Sequence, residues 1–201
     1  MKNLAMPPAV QPQAKGPDAI LDVAERLAQT RGFNGFSYAD IAAELRVTKA
    51  GLHYHFSSKA ELGRALIARY RAGFEQALAR IGAAPGDAPA KLKRYVGLYD
   101  EVMLNDRMCL CGMLAAEYET LPQPMQLELR AFFDANEQWL ATVLREGRRA
   151  GTLGFREPAK ERARQLSGAL EGAMLVARIY GDVDRFRSSA HHAVRDLTAP
   201  R

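Results

Sequence analysis

The 201-residue chain has two cysteines, one tryptophan and no apolar run of about eighteen residues, and each scarcity removes a class of protein. Cys109 and Cys111 are too few to staple a secreted fold, so a reducing compartment is expected. The missing apolar run excludes a membrane-spanning helix, and the opening residues MKNLAMPPAVQPQAKGPDA lack the apolar middle of a secretory signal. A soluble, cytoplasmic protein is therefore expected. Period-two apolar alternation bounded by hairpin turns is missing too, and no internal repeat is visible, which argues against a β architecture. No Gly-rich phosphate loop after a strand, no HExxH and no GxSxG occurs, so neither a catalytic motif nor a cofactor is expected.

What is present is apolar material, 48% of the chain, enough for a sizeable core. The net charge of +5 is unevenly spread: residues 1–82 hold 11 Lys+Arg against 7 Asp+Glu, giving +4, and the remainder hold 17 against 16, giving +1. An anionic partner such as nucleic acid would favour that excess, although a solvated surface with a chance imbalance gives the same numbers.

Residues 1–16 are proline-rich and poor in apolar residues, and read as a disordered arm. From Asp18 the pattern is helical. Ile20, Val23, Ala24, Leu27 and Ala28 recur at three- and four-residue steps until Gly32. A long helix is expected from Leu62 to Ile81, and GAAPGDAP (82–89) is the clearest breaker. Further helices are expected at about 89–104, 107–120, 124–150, 157–180 and 183–197. The fold class is all-α with about nine helices, divided into residues 17–76 and 77–201.

The stretch from Phe36 to Leu62 repeats one device three times. Ser37 caps a helix with Asp40 as reciprocal partner and Phe36 stapling to Ile41; Thr48 caps the next, with Val47 stapling to Leu52; Ser58 with Glu61 opens a third. Two short helices joined by Arg46-Val47-Thr48 and followed at once by another make a helix-turn-helix. At 100° per residue Leu52 and Phe56 face inward, while Lys49 and His53 face outward beside Ala50 and Tyr54. Gly51 costs roughly 1 kcal/mol of helix stability against alanine, so a close approach from outside is expected there. A major-groove edge is such an approach.

The segment Ile20–Tyr70, ILDVAERLAQTRGFNGFSYADIAAELRVTKAGLHYHFSSKAELGRALIARY, resembles the DNA-binding domain of the tetracycline-repressor (TetR) family of transcriptional regulators. The resemblance implies an all-α homodimer whose N-terminal domains bind a palindromic operator in double-stranded DNA and whose C-terminal domains bind a small-molecule inducer and form the dimer. It implies that Ser37 and Tyr38 approach the DNA backbone, that Thr48 and Lys59 bind phosphate, that Lys49, Ala50 and Gly51 face base edges, and that Tyr54 reaches backbone. Two positions depart from the family pattern. Arg46 stands where glycine is usual in the turn, so it needs a left-handed conformation or reaches toward phosphate. His53 stands where tyrosine is usual, which leaves that backbone contact open. A helical interaction or carrier module that has lost DNA binding is the alternative these two positions allow.

Farther along, Leu98, Val102, Met103, Leu110, Met113, Leu114, Phe132, Phe133, Trp139, Leu140 and Val143 supply either core or pocket lining. Met113 and Trp139 are the ligand candidates among them. In NDRMCLCGMLAAEYETLP (105–122) Asp106 is expected to cap a helix, placing Cys109 in its first turn, where the dipole and Arg107 favour thiolate and the Asp106 charge opposes it. This segment resembles a family helix in which some members sense electrophiles or oxidants through a cysteine. Cys109 and Cys111 are thus sensor candidates, with buried structural thiols as the other reading. Zinc shared with His53 and His55 is disfavoured, because a two-residue spacing puts side chains about 200° apart on a helix. The helix near 157–180 is apolar on two sides, and Leu166, Leu170, Gly172, Ala173 and Ala177 are the expected dimer interface, with burial inside the monomer core as the other reading.

Overall fold

A computed structural model describes residues 16–198. The expected arm over residues 1–16 lies outside the described residues apart from Gly16. Among the described residues the regular structure is entirely helical, as the sequence pattern predicts. Helices α1 (Pro17–Arg31), α2 (Tyr38–Leu45) and α3 (Lys49–His55) form an N-terminal unit, and α4 (Lys59–Ala83) leads out of it. There follow α5 (Ala88–Leu104), α6 (Leu110–Ala116), a 3₁₀ turn (Tyr118–Thr120), α7 (Gln123–Arg149), α8 (Ala159–Tyr180) and α9 (Val183–Thr198). No described helix is long and apolar enough to cross a membrane.

Local chemistry sets most boundaries. Pro17 opens α1, and Gly32 ends it at φ 80, donating its N–H to Ala28 O. Asp87 caps α5 by accepting the Ala90 N–H at 3.0 Å, with Pro89 in the first turn. Packing then orders the helices. α7 lies against α4 and α8, α8 against α9, and α9 against α5, while α1 touches α2, α4 and α6. The buried residues form one continuous apolar cluster from Ile20 of α1 through Leu66 and Phe132 to Leu197 of α9. Each fully buried leucine or phenylalanine contributes about 1.5–3 kcal/mol relative to exposure.

Two local expectations are corrected. The helix expected over 107–120 is shorter, because Asp106 sits in a turn at φ 54 with its N–H on Met103 O, and Met108 N–H reaches back to Gln29 O. With residues 105–108 tied to α5 and α1, Cys109 takes the position just before α6 and Asp106 caps nothing. At α4, Ser58 caps Glu61 N–H at 3.1 Å, but the Glu61 carboxylate turns back one residue earlier, to the Ser57 N–H at 2.9 Å and hydroxyl at 2.6 Å. The proposed division at 76/77 lies within α4, which runs unbroken to Ala83 as the long helix expected from Leu62 to Ile81 implies.

Candidate nucleic-acid interface and the domain behind it

The short helices α2 and α3 are held by their ends and by two anchors. Ser37 Oγ accepts the Ala39 N–H at 3.2 Å and donates to Asp40 Oδ2 at 2.7 Å, and Ser37 N–H donates to the same oxygen at 2.7 Å. These bonds from Ser37 hold the Asp40 carboxyl below the usual carboxylate range. In the turn Arg46 adopts φ 57, with its N–H shared between Ala42 O and Ala43 O. That left-handed conformation costs a non-glycine residue about 1 kcal/mol, and it leaves the Arg46 side chain exposed. Thr48 Oγ1 accepts the Gly51 N–H at 3.2 Å. Leu52, 1% exposed, and buried Phe56 fix the inner face of α3. The outer face presents Lys49, Ala50, His53 and Tyr54, the last 87% exposed. A Cβ on Gly51 would meet only Thr48 Oγ1, at an ordinary 3.6 Å, so nothing inside the chain requires glycine there.

Three residues expected at DNA are engaged with the protein itself. The Tyr38 hydroxyl donates to Phe56 O at 2.9 Å, and its ring lies 4.7 Å from that of His53. Burial, with the Glu61 charge second, pushes its pKa up to about 12, so it stays a hydrogen-bond donor. His53 Nδ1 lies 3.2 Å from Ser57 O, so that nitrogen carries the proton and donates. The histidine thereby closes the turn from α3 to α4 while remaining exposed. Lys59 departs furthest from expectation. Its Nζ donates to Phe33 O and Phe36 O and stands 4.5 Å from the centroids of both phenylalanine rings. Burial lowers its pKa, and the ammonium is committed inward rather than offered to phosphate. Lys49 and Arg46, by contrast, carry no side-chain hydrogen bond or ion pair among the described residues.

Behind this face the C-terminal helices grip the corner between α1 and α2. Glu117, just past α6, accepts the Phe33 N–H at 2.7 Å and the Asn34 N–H at 3.3 Å. Asn34 Nδ2 donates to Thr120 Oγ1 at 2.9 Å. Arg178 of α8 donates to Gln29 O at 3.3 Å and to Thr30 O. A side chain on Gly32 would press into the Glu117 carboxylate, so glycine there admits the clamp as well as ending α1. Partners more than eighty residues apart leave no trace in a local pattern, and none of these was expected.

The sensor candidates separate. Cys109 and Cys111 are both buried free thiols. Burial pushes both thiols up, helped by the Glu171 carboxylate for Cys109 and by Cys109 and then Glu171 for Cys111. The expected thiolate character of Cys109 is therefore corrected: a sealed site beside a carboxylate outweighs a helix end. Met113 faces Arg178, whose Nη1 lies 3.4 Å from its Sδ, while Trp139 stacks on Tyr95 with ring centroids 5.6 Å apart. Two polar residues of this interior were not anticipated. Asn136 is 1% exposed, and burial pushes the Glu171 carboxyl up to about 7. The available signal was a single acidic residue within an otherwise small and apolar stretch of α8.

The interface expectation is corrected in part. Leu166, Leu170 and Ala177 are buried within this one chain, in the core that α8 shares with α7 and α9. Gly172 and Ala173 are half-buried. The free side of α8 presents Gly168, Leu175, Val176, Ile179 (79% exposed) and Tyr180. Cβ atoms on Gly168 and Gly172 would meet nothing within 4 Å.

Comparison with known proteins agrees with this layout. The model of bacterial regulatory proteins of the tetR family matches residues 20–66, and that of the tetracyclin repressor-like C-terminal domain matches residues 89–193. The transcriptional regulator AcuR of Cereibacter sphaeroides is 27% identical over 153 residues, 74% of this chain and 70% of that protein. A TetR-family regulator from Agrobacterium tumefaciens is 34% identical, with a TM-score of 0.89 over 94% of this chain and 100% of that one. A regulator-like protein from Saccharomonospora viridis, solved in complex with choline, is 26% identical with a TM-score of 0.78, covering 94% and 100%. The chain thus belongs to the TetR family of bacterial transcriptional regulators, and its α2–α3 unit is that family's DNA-binding helix-turn-helix.

Proposed function

We propose that this protein is a ligand-responsive repressor that binds a palindromic operator as a homodimer and leaves it when a small molecule enters the C-terminal helices. The observation that carries this reading is the pairing of a free, anchored face on α3 with hydrogen bonds from α6 and α8 to the corner behind it. In the major groove Lys49, Ala50 and Gly51 meet base edges, while Thr48, Tyr54 and Arg46 meet the flanking backbone and Ser37 brings the start of α2 alongside. The exposed side of α8 receives the same helix of a second copy, with Gly168 and Gly172 allowing close approach. A two-fold operator follows from a two-fold protein.

Transmission runs through α6. Cys109 precedes this helix inside the C-terminal core and Glu117 follows it at the clamp on Phe33 and Asn34. A ligand that displaces α6 pulls the carboxylate from those N–H groups and shifts the balance toward a DNA-free arrangement by its differential affinity. The choline-bound relative supports taking this domain as a receptor for small molecules. Arg46 and His53 raised the alternative of a module without operator recognition, and both are accommodated without disturbing α3. Selection of genomic fragments at moderate salt should return one palindromic consensus; its absence overturns the regulator reading. Glu117→Ala should leave operator and ligand each bound but weaken their coupling, which a repressor titration with and without ligand measures.

A further inference from the structure

The C-terminal helices enclose a polar network that neither DNA contact nor apolar packing uses. The Tyr70 hydroxyl of α4 lies 3.9 Å from Cys109 Sγ, and the thiol faces the Glu171 carboxylate of α8. The Tyr95 and Tyr99 hydroxyls of α5 lie 2.9 Å apart, and Asn136 Nδ2 of α7 donates to Tyr99 at 3.4 Å. The network ends in two acceptors that receive nothing. Glu171 Oε1 and Asn136 Oδ1 are sealed from solvent and have no hydrogen-bond partner. An unmet buried acceptor forfeits the hydrogen bond it made with water, and a buried carboxylate without a cation is costlier still. Among the described residues no ion pair reaches Glu171; its carboxyl is governed by burial and by Cys109.

The surroundings define what is missing. Gly112 leaves room for the carboxylate, since a Cβ there would overlap Glu171 Oε2. Aromatic rings continue from the tyrosines: Tyr70 lies 5.8 Å from Phe132, Phe74 lies 5.0 Å from Phe132, and Tyr95 lies 5.4 Å from Tyr99. Both unmet groups are acceptors, so the absent partner is a donor. Among the described residues no cation pairs with Glu171, so a donor that is itself a cation is the partner that would hold the buried carboxyl in its charged form. Ring faces receive a cation and its alkyl groups together. A carboxylate or phosphate ligand would add acceptors to acceptors and charge to like charge. A quaternary ammonium would bring the charge without the N–H groups.

We propose that Glu171, Asn136 and the tyrosines around them seat a small organic ammonium ion, a primary or secondary amine whose N–H groups meet Glu171 Oε1 and Asn136 Oδ1. This rests on the reading of the C-terminal domain as the inducer site and names the class of inducer. The seat adjoins Cys109 and Gly112, at the start of the seven-residue α6. Occupancy and displacement of α6 are thereby one event, felt at Glu117.

The test uses the full-length protein and the operator fragment recovered by selection. Methylamine, butylamine and benzylamine are compared with benzyl alcohol, phenylacetate and benzyltrimethylammonium, at millimolar concentration and slightly alkaline pH, by calorimetry, thermal shift and DNA release. At least one amine should bind and release DNA, with binding weakened by about tenfold or more in Glu171→Gln and in Asn136→Leu. Circular dichroism checks that both variants fold. Binding of phenylacetate or benzyl alcohol as tight as that of the amines overturns the cation, and equal binding of the quaternary probe overturns the N–H pairing. Undiminished amine binding by folded Glu171→Gln places the amine elsewhere. If wild type holds its operator and no amine binds, the ammonium seat falls while the regulator stands. If wild type selects no operator, the regulator reading falls, whatever the amines do.

Discussion

The recognition helix α3 and the polar interior of the C-terminal domain solve opposite problems. In α3 the local polar groups find partners nearby: Thr48 meets Gly51, His53 meets Ser57, Tyr38 meets Phe56, and the functional side chains are left outside. In the interior, Glu171 Oε1 and Asn136 Oδ1 are sealed in as acceptors with no partner. A surface that reads a rigid duplex is best finished before the partner arrives, because a preformed face loses little freedom on binding. A site that must change shape when filled is usefully left unfinished, because completing it supplies the energy for the change.

The largest expected effect tests whether the two regions are separable. Leu52→Ala should destabilise the fold by about 2–5 kcal/mol, since Leu52 is the fully buried anchor of α3. Hydrogen exchange should show protection lost across residues 17–76 with DNA binding abolished, while α7 and α8 stay protected. Loss of protection in α7 as well would mean that the continuous apolar core makes one cooperative unit, and the comparison would fail.

Next is the interior itself. Folding raises the Glu171 carboxyl from an ordinary 4.5 to about 7, so between those values the folded chain binds more protons than the unfolded one. The Glu171 contribution to stability should be greatest below the ordinary value, fall as pH rises through about 7, and then level at a loss on the order of 3 kcal/mol. The facing groups Tyr70, Tyr95, Tyr99, Cys109 and Cys111 are all pushed up and stay neutral through that window. Glu171→Gln should remove the slope, leaving the variant more stable than wild type at slightly alkaline pH without amine. Urea denaturation at pH values on either side of the window measures it, and a wild-type curve without that fall would show the carboxylate already compensated.

Two lysines extend the comparison within the DNA-binding unit. Lys59→Met should lower stability by about 1–3 kcal/mol, because it strips the shared donor from Phe33 O and Phe36 O. Lys49→Ala should leave stability unchanged and relax the sequence preference of DNA binding. A Lys59→Met variant of undiminished stability whose salt slope falls by about one would mean that Lys59 swings out to phosphate on the operator. The resemblance placed both lysines at DNA; only coordinates distinguish one that caps carbonyls 23 and 26 residues earlier in the chain. The same limit explains what was legible elsewhere. The Ser37 and Thr48 caps and the inward Leu52 follow from neighbours within four residues, so pattern alone finds them, whereas the left-handed Arg46 is one of two options suggested by the glycine the family carries there. Asp106 misled because its segment is tied to Gln29 through Met108, and Glu171 was passed over because the groups around it, Tyr70, Tyr99 and Cys109, lie far from it in the chain. Leu166 and Leu170 lay on an apolar stripe, but a stripe does not say whether the covering helix belongs to the same chain.

The smallest effect is the sharpest discriminator. Gly51 lies mid-helix with no positive φ, and a methyl group there would meet only Thr48 Oγ1 at 3.6 Å. By the chain's own energetics Gly51→Ala should therefore stabilise the domain by about 0.5–1 kcal/mol, through helix propensity alone. If the glycine is present for a surface that arrives from outside, the same substitution should weaken operator binding while the midpoint of unfolding rises. Thermal denaturation and a gel shift on one preparation give both numbers. Opposite signs tie the glycine to close approach of DNA, whereas a stabilised variant with undiminished affinity would mean that α3 tolerates the residue without using it.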